Sequence, residues 1–256
     1  MRPALSPASI GANPDQVRQM ASEKRPPAAP PAPTGTVASF LAELERRAPL
    51  TAERRGRLIF ALDATMSRQP TWDLACALQA EMFEEAGRIG GLDIQLVYYR
   101  GIGECRASPW MADGARLGAL MAGITCQGGR TQIGRVLRHA AAQAAKGPVG
   151  ALVFVGDALE EPLDDLCAEA GPLALRGVPA FMFQEGADPA VERGFREIAR
   201  LTKGAWCRFD AGAAGELKAL LRAAASYAAG GSKALAALAG TSPGARRLIA
   251  AMQDTQ

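Results

Sequence analysis

In the segment Asp63-Ala64-Thr65-Met66-Ser67 every second residue carries a side-chain oxygen. An extended loop turns alternate residues to one side, so this spacing gathers one carboxylate and two hydroxyls on a common face. Oxygen donors of this kind suit a hard divalent cation: Mg²⁺ takes a near-octahedral oxygen shell at about 2.1 Å and usually keeps several waters. A second aspartate, Asp157, closes another apolar run, Ala151-Leu152-Val153-Phe154-Val155-Gly156. Carboxylates at the ends of buried strands are costly to desolvate unless something positive compensates them. A divalent cation shared by Asp63, Thr65, Ser67 and Asp157 would do so.

The elements that must position these residues follow from hydrophobic periodicity. Arg57 to Leu62 and Ala151 to Gly156 are short, continuous apolar runs of the length of strands buried on both faces. Ile94 to Tyr99 predicts a further strand, Gly101-Ile102-Gly103 a turn, and Glu104 to Trp110 an antiparallel return whose Pro109 suits an edge. Strands are expected at Val178–Gln184 and Ala205–Phe209. Helices are expected at Thr71–Arg88, Ala112–Met121, from Thr131 to about Ala145, and at Leu163–Leu175, Pro189–Thr202 and Ala214–Ala228. Alternation of this kind predicts an α/β fold: a doubly wound, mostly parallel six-stranded sheet with one antiparallel edge strand and helices on both faces. In open sheets of that class ligands bind beyond the carboxyl ends of the strands, where both aspartates lie.

An aspartate-x-threonine-x-serine motif after an apolar strand, a Gly128-Gly129-Arg130-Thr131 loop before a helix, and an aspartate after a later strand together resemble the metal-ion-dependent adhesion site (MIDAS) of von Willebrand factor A (VWA) domains. The likeness runs from about Arg57 to Ala228 and is to the bacterial cytoplasmic type. It implies a metal site of Asp63, Thr65, Ser67, Thr131 and Asp157. Thr65 stands where serine is commoner, and Arg130 separates Thr131 from the glycine pair, bringing a positive charge to the rim. The resemblance implies a Mg²⁺ or Mn²⁺ ion and a protein partner that offers it an acidic residue.

Composition narrows the remaining classes. Against 26 acidic residues stand 29 basic ones, a net charge of +3 in 256 residues, which gives no electrostatic track for nucleic acid. The five cysteines are scattered, and His139 is the single histidine, so a zinc site lacks clustered ligands. An odd cysteine count and the absence of an apolar leader fit a cytoplasmic protein, and no apolar run is long enough to span a membrane. Gly129 to Gly134 mimics half of a phosphate loop, but Arg135-Val136 replaces its Lys-Ser/Thr. The Asp63 loop lacks the second aspartate of a haloacid-dehalogenase-like phosphatase, and Leu74 stands where a calcium loop needs its closing glutamate.

The expected function is therefore that of a metal-dependent protein-binding adaptor and not of an enzyme. A Mg²⁺-dependent hydrolase is the alternative from another class, but no base or nucleophile accompanies the site. A third reading makes the chain the VWA subunit of a remodelling or metal-insertion complex whose ATPase lies on another chain. Along the chain, residues 1–35 read as a disordered proline- and alanine-rich arm, 36–56 as a lead-in helix, 57–230 as the VWA-like domain and 231–256 as a C-terminal helical extension. Deleting residues 1–34 is expected to leave the thermal unfolding midpoint unchanged; a collapse of stability on deletion would mean that part of the arm packs.

Overall fold

The computed structural model describes residues 55–65, 72–73, 91–210 and 213–254, all within one compact unit that begins at Ala48. The expected arm, lead-in helix and Thr71–Arg88 helix fall outside the described residues, apart from Arg55 and Gly56, and Trp72 and Asp73. Six strands form a single sheet: β1 Gly56–Asp63, β2 Leu92–Arg100, β3 Glu104–Ala107, β4 Ala151–Gly156, β5 Ala180–Glu185 and β6 Ala205–Phe209. Their spatial order is β3-β2-β1-β4-β5-β6, parallel throughout except for β3, which pairs antiparallel with β2. The expected sheet, with its antiparallel edge, is the one observed.

Six helices cover it among the described residues: α1 Gly114–Ala122, α2 Ile133–Lys146, α3 Leu163–Leu175, α4 Pro189–Leu201, α5 Ala214–Ala239 and α6 Pro243–Asp254. Side chains of β1 alternate between two cores. Leu58, Phe60 and Leu62 face α1, α5 and α6; Ile59 and Ala61 face α2, α3 and α4. Few aromatics are available, so closeness substitutes for bulk. At Gly56 and Gly150 an added Cβ would lie 2.4 and 2.5 Å from the Ala228 carbonyl oxygen, so α5 rests directly on the strand backbone there.

Local signals set the helix ends. Asp113 caps α1 through Ala115 N at 2.9 Å, and Asp188 caps α4 through Ala190 N at 2.7 Å, with Pro189 next in the first turn. The Ser242 hydroxyl accepts from Ala245 N at 3.3 Å at the start of α6, whose Ala245 and Leu248 join the core. Helix α5 runs past the expected Ala228 to Ala239, interrupted at Gly231, whose φ of 66° only glycine adopts readily. Strand β5 starts two residues later than expected, because Val178 N still bonds the Leu173 carbonyl at the end of α3. At the open edge of β6, Arg247 of α6 donates to the Arg208 carbonyl and pairs with Glu216 at 3.1 Å.

The chain leaves β1 for β2 on one side and reaches β4 on the other, so strand order reverses between β1 and β4. In open α/β sheets the crevice beyond the carboxyl ends of strands at such a reversal is the usual ligand site. Beneath it lies an aromatic group of Tyr99, Phe154 and Phe195, with Phe154 stacked on Tyr99 at 6.2 Å and edge-on to Phe195 at 5.5 Å. Phe154 is fully buried, and Phe154→Ala is expected to cost about 3–5 kcal/mol of unfolding free energy, measured by urea denaturation.

Candidate metal centre

Asp63 is the last residue of β1 and lies only 2% exposed at the switch point. Its Oδ1 accepts a hydrogen bond from Thr65 N at 2.8 Å, which fixes the carboxylate against its own loop. Burial raises its pKa above 3.8, helped by the charge of Asp157; hydrogen bonds from the Thr65 side chain and backbone, and the dipole of the nearby Tyr99 hydroxyl, pull the other way. Asp157 directly follows β4, and the β1–β4 register, Leu62 against Val155, brings the two strand ends side by side. Thr65 and Thr131 are both buried at this end of the sheet. Ser67 lies outside the described residues.

The second loop is tied to the first by Gln127 N, which donates to the Ala64 carbonyl at 3.0 Å. Thr131 is clasped to the third loop in both directions: its N–H donates to Glu160 Oε2 at 2.9 Å, and its Oγ1 accepts from Glu160 N at 3.0 Å. One lone pair of that hydroxyl is thereby used and another remains. Glu161 accepts from Ile133 N at 2.7 Å and Gly134 N at 2.8 Å. It caps α2, whose own N-cap residue, Gln132, makes no side-chain cap bond.

Glu160 and Glu161 lie just before α3, where acids ordinarily stay solvated beside their own helix's N-terminus. Here they instead hold the Thr131 loop and a helix nearly thirty positions earlier in the chain, pairings that no local pattern announces. Tyr99 was also missed. It is fully buried, it pairs in register with Asp63, and its hydroxyl lies beside that carboxylate but outside hydrogen-bonding geometry, with no partner among the described residues. Burial and the charges of Asp63, Glu161 and Asp157 push its pKa well above 10.0.

The arrangement is acidic and composed of oxygen donors, with an orphaned buried hydroxyl at its centre. That donor set fits a hard divalent cation held by Asp63, Asp157 and the Thr65 and Thr131 hydroxyls. Among the described residues no group of three or more His, Cys, Asp or Glu side chains is placed to hold a metal. His139 lies elsewhere: its Nε2–H donates to Gln95 Oε1 at 2.9 Å, since the Gln95 amide nitrogen is spent on the Ser108 carbonyl. None of the four described cysteines forms a disulfide, and burial raises the Cys207 thiol to about 11.

No protein-family model matches the sequence, and no curated protein matches it. Solved structures match its fold. The pilus adhesin SpaC from Lactobacillus rhamnosus GG superposes with a TM-score of 0.53 at 11% identity, over 67% of this chain and 30% of that one. The vWF domain of the type V pili tip protein Mfa5 from Porphyromonas gingivalis gives 0.51 at 11% identity, over 67% and 95%. The chain has a VWA-like fold. Proximal thread matrix protein 1 from the mussel byssus also carries it, with a TM-score of 0.52 and 17% identity over 67% of this chain and 47% of that one. This chain thus spans about a third of SpaC and about half of the byssal protein. Among the described residues of this VWA-like fold no helix is long and apolar enough to cross a membrane.

The raised Asp63 pKa has a consequence for the metal-free protein. Its unfolded carboxyl titrates near 3.8, whereas the folded one holds its proton to higher pH. The penalty for ionising it is absent below 3.8 and grows as pH rises through the folded pKa. Asp63→Asn keeps an oxygen for Thr65 N and cannot ionise. In EDTA it is expected to be more stable than wild type at neutral pH, the gain vanishing as pH falls toward 3.8. Thermal melts across pH measure this; a variant less stable than wild type at neutral pH would contradict it.

Proposed function

We propose that this chain is a divalent-cation-dependent protein-binding module, which uses Asp63, Thr65, Ser67, Thr131 and Asp157 to hold Mg²⁺ or Mn²⁺ for an acidic residue of a partner. What supports the reading is that Asp63 and Asp157 follow neighbouring strands at the β1/β4 switch point, near enough for their charges to interact, with Thr65 and Thr131 buried at the same end of the sheet and the Asp63 carboxyl penalised by burial. When bound, such an ion offers a water-filled coordination position that a partner's aspartate or glutamate can take.

The protein's own groups make that position usable. Asp63 and Asp157 supply negative charge from adjacent strands, while the threonine hydroxyls add neutral oxygens, so two carboxylates alone offset the charge of a divalent cation. Thr65 N orients Asp63, and Glu160 orients Thr131. The exposed Arg130 guanidinium, which makes no ion pair among the described residues, adds positive charge to the rim. A partner carboxylate is common to an adaptor's client and to a subunit of an ATPase-driven complex; the residues presented here would serve either.

Asp63→Ala is expected to lower divalent-ion affinity by at least about 100-fold, read by calorimetry, because even groups that merely support metal ligands are worth about 10- to 100-fold. The fold should persist in circular dichroism, since Leu58 to Leu62 and Leu152 to Val155 form an apolar core independent of the ion. The variant and a chelator should abolish the same partner interaction in pull-downs, and purified wild type should not turn over phosphate esters with Mg²⁺ or Mn²⁺. Metal-dependent hydrolysis lost in Asp63→Ala would replace this reading with that of an enzyme. Partner binding indifferent to both treatments would move recognition elsewhere on the chain.

A further inference from the structure

The β2–β3 turn is unusual for what it presents and for how firmly it is held. Ile102, at its tip between Gly101 and Gly103, is 88% exposed. Turn tips favour Gly, Asn, Asp, Ser and Pro for backbone reasons, none of which explains a β-branched apolar side chain. Nor does packing explain it. Leu175, the other large apolar residue this exposed among those described, ends α3 and so lies toward the opposite end of the sheet.

Several contacts immobilise the turn from below. Gly101 O accepts from Arg130 N at 3.2 Å and from Gln132 Nε2 at 3.3 Å, and the Arg135 guanidinium donates to Gly103 O. The buried Gln132 spends its amide nitrogen on this turn and its Oε1 on Arg135, at 2.8 Å. Gly129 passes so close that an added Cβ would fall 2.0 Å from Gly101 O. A freely moving turn would lose backbone entropy on being contacted, whereas the backbone on both sides of Ile102 is already held.

The clamp also fixes where Ile102 stands. Arg130, whose N–H holds Gly101, is adjacent to Thr131. Backbone dimensions across that hydrogen bond put the Ile102 and Thr131 Cα atoms no more than about 11 Å apart. An extended peptide covers that distance in about three residues. The exposed Arg130, whose backbone links the two and which makes no ion pair among the described residues, suits a segment of negative charge.

We infer that Ile102 is a second contact point beside the candidate metal centre, and that the partner segment is an acidic peptide carrying an aliphatic or aromatic side chain within about three residues of its acid. This rests on the proposed function, deepening it from an acidic partner to a two-point one. The acid supplies metal dependence, and the apolar neighbour, seated on Ile102, supplies discrimination among acids. One bare carboxylate cannot distinguish partners; an adjoining apolar contact can.

The probe is an immobilised library of short synthetic peptides, each with one central glutamate and randomised flanks, exposed to the full chain in MgCl₂ and in EDTA. Chelator-sensitive binders are expected to be enriched in Ile, Leu, Val or Phe within about three positions of the glutamate. Ile102→Ser should weaken the selected peptides about tenfold, the effect of exposing one aliphatic side chain, and Ile102→Leu should restore most of that. Divalent-ion affinity by calorimetry and the thermal midpoint should match wild type in both variants. Chelator-sensitive binders without apolar enrichment, or equal binding by Ile102→Ser, would overturn the inference and leave the proposed function standing. Loss of ion affinity or stability in Ile102→Ser would reassign the turn to a structural role and overturn it as well. No chelator-sensitive binding to any peptide would overturn both.

Discussion

Two aspartates at the ends of neighbouring parallel strands repel each other and resist burial, and much of the surrounding structure responds to that constraint. Asp63 is almost wholly removed from water, so its charged form is disfavoured before any neighbour acts. The Thr65 backbone and side chain recover part of that cost by hydrogen bonding. The Tyr99 hydroxyl, held at the matching register position of β2, adds a dipole that the carboxylate feels although no well-formed bond results. An apolar pair at these positions would make a more stable sheet. The acidic pair carries a cost that hydrogen bonds recover only in part, and in the metal-free protein a proton held on Asp63 to higher pH relieves it.

The loops that surround the pair are stiffened by contacts distant in sequence. Glu160 and Glu161 together occupy three backbone N–H groups, those of Thr131, Ile133 and Gly134. The third loop thus replaces the local cap that α2 lacks. Because the second loop also grips the β2–β3 turn, the loops after β1, β2 and β4 and the loop before α2 form one connected rim. Arg130 joins that rim through its backbone N–H, which donates to the Gly101 carbonyl.

Much of this architecture is legible in the sequence. The apolar runs that end in Asp63 and Asp157 are strands because only buried strands use such short continuous blocks, and the helices between them carry the expected periodic faces. The Gly101–Gly103 turn correctly marked the antiparallel edge, although β3 stops at Ala107, short of Pro109 and of the expected Trp110. What stayed hidden depends on register and on long-range pairing. Tyr99 reads as one more core residue until the Asp63–Tyr99 pairing aims its hydroxyl at a carboxylate, and Glu161 reads as an acid of its own helix until the fold delivers it to another. Gly230-Gly231 reads as a helix stop, and the chain does leave helical geometry at Gly231 before a second helical segment carries Leu235 into the core.

The C-terminal helix has a role that its distance from the acidic crevice conceals. A sheet's last strand exposes a row of unpaired carbonyl and amide groups, the natural template for pairing with another chain. On β6 one of those carbonyls, that of Arg208, is occupied by the Arg247 guanidinium of α6, and the apolar face of the same helix is sunk in the core. Helix α6 therefore works as a guard against unwanted self-association, closing the one parallel edge of the sheet while leaving the opposite end of the strand order, with its short and charged β3, to protect itself.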